Sequence, residues 1–426
     1  MLAGIRKFYA DLASDRRYVA MLGLGFSSGM PYLLVYSTQS AWLTEAKVSI
    51  ETIGLMTELT IAYKFKFLWA PFLERYDDPF FSRWLGRRRG WILVSQILVM
   101  LTLAGVAVGD PGQRIAWTVM FSLILGFAGA TQDTVIDGWR ITAVPADKQP
   151  LMTAFSETGY RVGTLAASAG ALLIADRFGW RSAYLGMAGL ISVGAVAAML
   201  APIPESDRDH RPDHPGFSAT ILAPISELVT RLGPMAIPVF LLIAGFRMPG
   251  YLSTAMSMPL FKSLHISDTQ IATVTKLFGF WIAIAGTFLA SYTVRRYGLM
   301  LTLLIGTVTA SASHLSLAWL ASHGEGEPSA FILAVSIEGL AYSFAQVVLI
   351  TYMSVLVNVE LAASQFALMT SLCALPGSLL AGASGFLVKR LGFEVFFVGT
   401  SLIGIPVALL AYFVWRRHAP APVMPA

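Results

Sequence analysis

The sequence predicts an all-α polytopic membrane protein of twelve transmembrane helices, arranged as two six-helix bundles. Three observations predict it. Of the 426 residues, 56% are hydrophobic and only 13% are charged. That is about half the ~25% charge of a soluble domain, so a water-soluble enzyme is excluded. Apolar stretches of about 20 residues, enough to cross ~30 Å of hydrocarbon as helix, recur along the whole chain. The longest polar break, near 204–232, carries Pro204, Pro212 and Pro215 among alternating charges and divides those stretches six and six. The expected domains are an N-terminal bundle at 1–203, a cytoplasmic linker at 204–233 and a C-terminal bundle at 234–426.

Charged or Pro/Gly-rich turns place the spans near 19–43, 51–74, 91–109, 114–139, 151–175 and 181–201, then 234–261, 269–294, 299–321, 329–357, 364–388 and 393–415. Ahead of span 1, Arg6, Lys7, Arg16 and Arg17 lie among scattered apolar residues with no compact apolar core and no small-residue cleavage site. That stretch reads as a cytoplasmic amphipathic lead-in rather than a signal peptide. With the N-terminus inside, 18 Lys and Arg fall in cytoplasmic segments and 7 outside. The asymmetry puts both termini in the cytoplasm. It also accounts for the net charge of +5, so no nucleic-acid partner is expected. The one cysteine, Cys373, lies in an apolar stretch, which leaves no disulfide framework and no Cys-x-x-Cys site.

The halves repeat. Arg177-Phe-Gly-Trp180, followed by Tyr184 and Gly186, returns 213 residues later as Arg390-Leu-Gly-Phe393, then Phe397 and Gly399. Both are the short turn from the fifth to the sixth span of a half. Parallel repeats of six helices characterise the major facilitator fold.

Charge inside a span is expensive and needs a cavity, a partner or a function. Nine such groups remain once the loops are removed: Lys64 and Lys66 on span 2, Asp133 and Asp137 on span 4, Glu157 and Arg161 on span 5, Arg247 on span 7, Lys276 on span 8 and Glu338 on span 10. Spans 3, 6, 9 and 12 hold none in their interiors. In a major facilitator arrangement those four are the lipid-facing helices. Asp133 and Asp137 are four residues apart and share one helical face. Ionised together they repel, which favours a proton on one of them. They serve equally well as structural partners of Lys64, Lys66 or Arg161, with Arg75 or Arg140 in reach of Asp137. Glu157 and Arg161 have the same spacing and suit a local pair. Lys276 and Glu338 lie at similar depth and also suit a pair.

Arg247 sits in Gly245-Phe-Arg-Met-Pro-Gly250, mid-span. Pro249 removes a backbone donor there and Gly250 loosens the helix, which opens the backbone beside a cation. The alternative is an ordinary kink with Arg247 paired to Glu338. Gly25 and Gly29, and Gly159 and Gly163, suit close helix approach. His314 reads as a satisfied interior group. Candidate proton-coupling residues are thus Asp133, Asp137 and Glu157. Candidate substrate-binding residues are Lys66, Arg247, Lys276, Gln132, Arg161, Tyr36 and Glu338. No catalytic residue, metal site or cofactor is expected.

Gly25-Phe-Ser-Ser-Gly-Met-Pro31, Ala41-Trp-Leu43, Lys66-Phe-Leu-Trp-Ala-Pro71, Leu85-Gly-Arg-Arg-Arg-Gly-Trp91 and Thr131-Gln-Asp-Thr-Val-Ile-Asp137 resemble the AmpG-type muropeptide permeases. Tyr352-Met-Ser354 and Ser364-Gln-Phe-Ala-Leu-Met-Thr-Ser-Leu-Cys-Ala-Leu-Pro376 add to the likeness, which runs in order over most of the chain. The resemblance implies a monomeric, proton-driven permease of the bacterial inner membrane that imports anhydro-muropeptides, cell-wall products bearing several carboxylates. Lys66, Gln132, Asp133 and Asp137 match motif positions of that family. Gly250, where the family suggests an acid, and Lys64 depart from it. Related carriers resembling acetyl-CoA transporters keep a different organic anion, or an efflux role, as alternatives.

Overall fold

A computed structural model describes residues 15–204, 217–324 and 327–417, which fold as helices and short connections with no strand. The expected amphipathic lead-in and most of the charged linker run lie outside the described residues. Among the described residues, ten helical stretches are long and apolar enough to cross a membrane.

Two features separate that number from the expected twelve. The stretch Ala146–Leu200 has 55 residues, about 80 Å of helix against ~30 Å of hydrocarbon. It turns at Gly179, whose φ of 81° and ψ of 162° are not helical. The region expected as span 2 is broken into Ile50–Thr57, a 3-10 turn Glu58–Ile61, Ala62–Phe65, a second 3-10 turn Lys66–Leu68, and Ala70–Arg75. No single piece of it is long enough to span.

The longer helices are numbered here: α1 Arg16–Ser28, α2 Arg87–Val108, α3 Ile115–Thr142, α4 Gln149–Leu165, α5 Ala171–Leu200, α6 Phe217–Leu232, α7 Ala236–Phe246, α8 Met248–Ser263, α9 Gly279–Tyr297, α10 Leu299–His323, α11 Pro328–Leu356, α12 Ala362–Ala381 and α13 Ser384–Arg417. Two compact units result. The first contains Met1–Pro145, Phe155–Ile225 and Asn358–Ala367; the second contains Ala146–Ala154, Ser226–Val357 and Leu368–Ala426.

The first unit is built around Met30, Leu34, Leu103, Leu125, Tyr184 and Ile191, all fully buried or nearly so. Its tightest seam is α1 against α4. A Cβ on Gly25 or Gly29 would run into the backbone of Ser156 and Tyr160, and one on Gly159 or Gly163 into that of Leu22 and Phe26. Glycine on both helices lets the two backbones touch, as the spacing suggested. The second unit packs around Leu317, Leu320, Phe331, Ala334 and Phe397, with α11 held between α9 and α10. Large apolar side chains stay exposed along α2 (Leu98, Leu101), α5 (Val193, Val196), α10 (Val308, Leu315) and α13 (Leu402, Leu409). Those helices cover the expected spans 3, 6, 9 and 12. Hydrocarbon, not water, is the solvent that suits such faces.

The repeat extends to the backbone. Gly392 in α13 has φ 80° and ψ 165°, matching Gly179. A second pair, Gly86 and Gly298, stands immediately before α2 and α10 with φ 78° and 87°. Their flanking residues differ, so the sequence comparison did not find them.

Candidate functional site

In the first unit, Lys66 opens the 3-10 turn of the broken segment and is 4% exposed. Its Nζ lies 2.9 Å from Asp133 Oδ2 and 3.7 Å from Asp137 Oδ2. Both carboxylates project from one face of α3, as their spacing requires. Arg140, a turn further along, places Nε 3.4 Å from Asp137 Oδ1 and its guanidinium over the Phe366 ring. Ser28 on α1 donates to Asp133 Oδ1. Two cations and a hydroxyl thus satisfy two acids, which is how charge persists in a low-dielectric interior. Of the partners open in the sequence, Lys66 takes both carboxylates; Lys64 is half-buried nearby in the chain and makes no ion pair among the described residues.

Beside this cluster, Trp69 Nε1 donates to Thr131 Oγ1 at 3.1 Å. Gln132 is fully buried and donates to Ser27 Oγ at 3.4 Å, while its Oε1 finds no partner. Tyr36 is 43% exposed. It stacks on Tyr32 at 5.8 Å, and Tyr32 meets Tyr63 edge-on at 5.3 Å. Of these three rings only Tyr36 is exposed, with Tyr32 and Tyr63 packed behind it. Glu157 and Arg161 are half-buried, one turn apart on α4.

A further acid escaped the sequence reading. Glu74, at the end of the expected span 2, is 3% exposed. Its carboxylate accepts from Ala363 N at 2.9 Å, Ser364 N at 3.0 Å and the Ser364 hydroxyl, the first turn of α12. Arg88 stands 3.7 Å away, and Arg87 donates to the Glu74 carbonyl. The carboxylate caps the free N–H groups of a helix N-terminus, where the helix dipole also favours it. The pairing of Glu74 with Arg88 was not legible in the sequence, because Glu74 counts as a span edge.

In the second unit, Arg247 is the single residue between α7 and α8. Pro249, second residue of α8, prevents α7 from running on with unbroken bonding. Arg247 donates to the Tyr342 hydroxyl at 2.6 Å and lies 5.2 Å from the Tyr251 ring centroid. It forms no ion pair with Glu338 among the described residues. Glu338 and Lys276 also form none, so neither pairing open in the sequence is made. Lys276 is exposed in a π-helical turn, Thr273–Phe278. A cavity of about 30 Å³ is lined by Arg247, Gly250, His314, Glu338, Tyr342 and Gln346, among others. Tyr342 and Tyr251 were not singled out in the sequence. His314 is satisfied on one side only: its ring bonds to the backbone of Thr400 while Nδ1 has no partner.

Membrane-spanning helices that enclose charged and hydrogen-bonding side chains define a multi-pass membrane carrier. The Major Facilitator Superfamily profile matches residues 18–381. The anhydromuropeptide permease of Escherichia coli K12 is 30% identical over 404 residues, which cover 94% of this chain and 80% of that one. A putative AmpG transporter of Rickettsia conorii is 26% identical over 93% of this chain and 96% of its own. The chain therefore belongs to the Major Facilitator Superfamily and, within it, to the AmpG-type permeases. A solved structure of the proton:xylose symporter XylE superposes with a TM-score of 0.70, covering 96% of each chain at 13% identity. That likeness concerns the fold alone.

Proposed function

We propose that this permease imports anhydromuropeptides, or closely similar anionic glycopeptides, across a bacterial inner membrane, driven by protons and working by alternating access of two bundles of six helices with cytoplasmic termini. It has no catalytic role in this reading and acts as a monomer. One observation supports the anionic cargo best. Arg247 stands at a helix break inside an apolar span, and among the described residues no carboxylate comes within ion-pair distance of it. A guanidinium so placed is a receptor for a carboxylate from outside the protein. Lys276, Arg161 and Gln132 are proposed as further contacts, with Tyr36 as a platform for the sugar. The similarity to a protein named for anhydromuropeptide supports the cargo's identity.

Asp133 and Asp137, with Glu157 near them in sequence order, are proposed as proton-responsive groups. A proton on Asp133 removes the stronger of the two bonds to Lys66 and leaves that ammonium shared with Asp137 alone. Asp133→Asn keeps the shape and the Ser28 contact while removing the charge. Labelled anhydromuropeptide accumulation in cells should then fall to background at unchanged protein level. Accumulation at the parental level would remove Asp133 from the coupling.

A further inference from the structure

The cavity of the second unit contains two groups that the reading above leaves unused. Glu338 has neither a hydrogen bond nor an ion pair among the described residues. His314 is 97% buried, since only 3% of it is exposed, and its Nδ1 has no partner. They come from different helices, α11 and α10, and line one cavity with Arg247 and Tyr342. At about 30 Å³ the cavity has room for roughly two waters.

We propose that Glu338, with His314 beside it, is a substrate-linked proton-exchange site: it takes up a proton when a carboxylate of the cargo settles on Arg247. This rests on the proton-driven, anionic-cargo reading above. Charge balance in an apolar surrounding is the reason. In the empty carrier an ionised Glu338 balances Arg247 across the cavity. In the loaded carrier the cargo carboxylate does so instead. An ionised Glu338 would then be a second negative charge beside one cation, and a proton removes it. Both occupancies are neutral, so proton and anion enter together and leave together. His314 is the neighbouring group on the route, with Nδ1 buried and unpartnered and the ring held by the backbone of Thr400.

The other groups around α11 fit this assignment. Of titratable groups, α10 contributes His314 alone at this cavity, beside Ala310, Ser311 and Ser313, and α11 adds Tyr342, whose hydroxyl is occupied by Arg247. Tyr251 on α8 faces the same guanidinium. Lys276 lies in the turn that packs against α11 but is not among the cavity residues. No second carboxylate lines the cavity, so Glu338 is the acid available to it.

The test uses the full-length protein in proteoliposomes with labelled anhydromuropeptide. Binding is measured across the physiological range, about pH 5.5 to pH 8. The parent protein should bind about tenfold more tightly at the acid end and should accumulate cargo under an inward proton gradient. Glu338→Gln should bind with one affinity across that range and lose accumulation, whereas equal-pH exchange falls far less. Glu338→Asp should restore both the pH dependence and accumulation, and His314→Gln should slow accumulation without flattening the binding profile. A Glu338→Gln protein whose affinity still follows pH, or which still accumulates cargo, overturns the proposal. If Glu338→Gln is not recovered folded, a Glu338→Asp protein with the parental pH profile supports it, and one without overturns it. A parent protein that ignores both pH and gradient fails at the earlier step, the proton-driven reading itself.

Discussion

The buried charges of the two units are arranged in opposite ways. In the first, Lys66 and Arg140 neutralise Asp133 and Asp137 within 2.9 to 3.7 Å. In the second, Arg247 is held by a phenol hydroxyl, and Glu338 by nothing among the described residues. A closed network is expensive to disturb and contributes to the integrity of the bundle. An open one costs stability and is useful only if something arrives to complete it. The contrast separates a cluster whose charges are satisfied within the protein from one whose charges are not.

The comparison breaks most directly at Lys66. Lys66→Ala leaves two buried carboxylates with one guanidinium, and losing one partner of a buried pair costs about 3–5 kcal/mol. Thermal unfolding of detergent-purified protein should show a marked loss. Arg247→Gln should do the reverse. A charge-assisted contact is worth about 1.5–3 kcal/mol, so cargo affinity should fall roughly 10- to 100-fold. Its unfolding temperature should stay close to the parent's in the same assay. Equal destabilisation by the two substitutions would erase the distinction between closed and open clusters.

The smallest effects are expected at the glycine corners. At Gly179 and Gly392 nothing lies within 4 Å of where a Cβ would stand, so alanine meets only the strain of a positive φ, about 1–2 kcal/mol. Gly179→Ala and Gly392→Ala should cost the same amount in paired unfolding measurements. Unequal costs would show that the repeat ends at the backbone shape.

Local chemistry explains which features were legible in the sequence. The break at Arg247 was readable because Pro249 and Gly250 act within a residue or two of it. The α1–α4 seam was readable because glycines four apart announce a close approach. Asp133 and Asp137 were readable as a pair from their spacing, but choosing Lys66 over Lys64 requires knowing which face of a broken segment turns inward. That break itself had no signal: no proline or glycine lies between Met56 and Trp69, and the 3-10 turns there are set by packing. Glu338 and His314 are 24 residues apart on two helices, and only the fold brings them to one cavity. Glu74 was hidden for the same reason, since its partners lie 289 and 290 residues away.

The paired glycine corners Gly86 and Gly179, Gly298 and Gly392 have a historical consequence. From Gly86 to Gly179 is 93 residues, and from Gly298 to Gly392 is 94. Side chains between the corners have diverged almost beyond recognition, but the length of chain from one to the next has barely changed. A ruler preserved twice in one polypeptide is what duplication of a single ancestral half leaves behind. Such an ancestor would have carried one kind of charge cluster in both copies. The closed cluster of one unit and the open cluster of the other are then a division of labour acquired after the copies were joined.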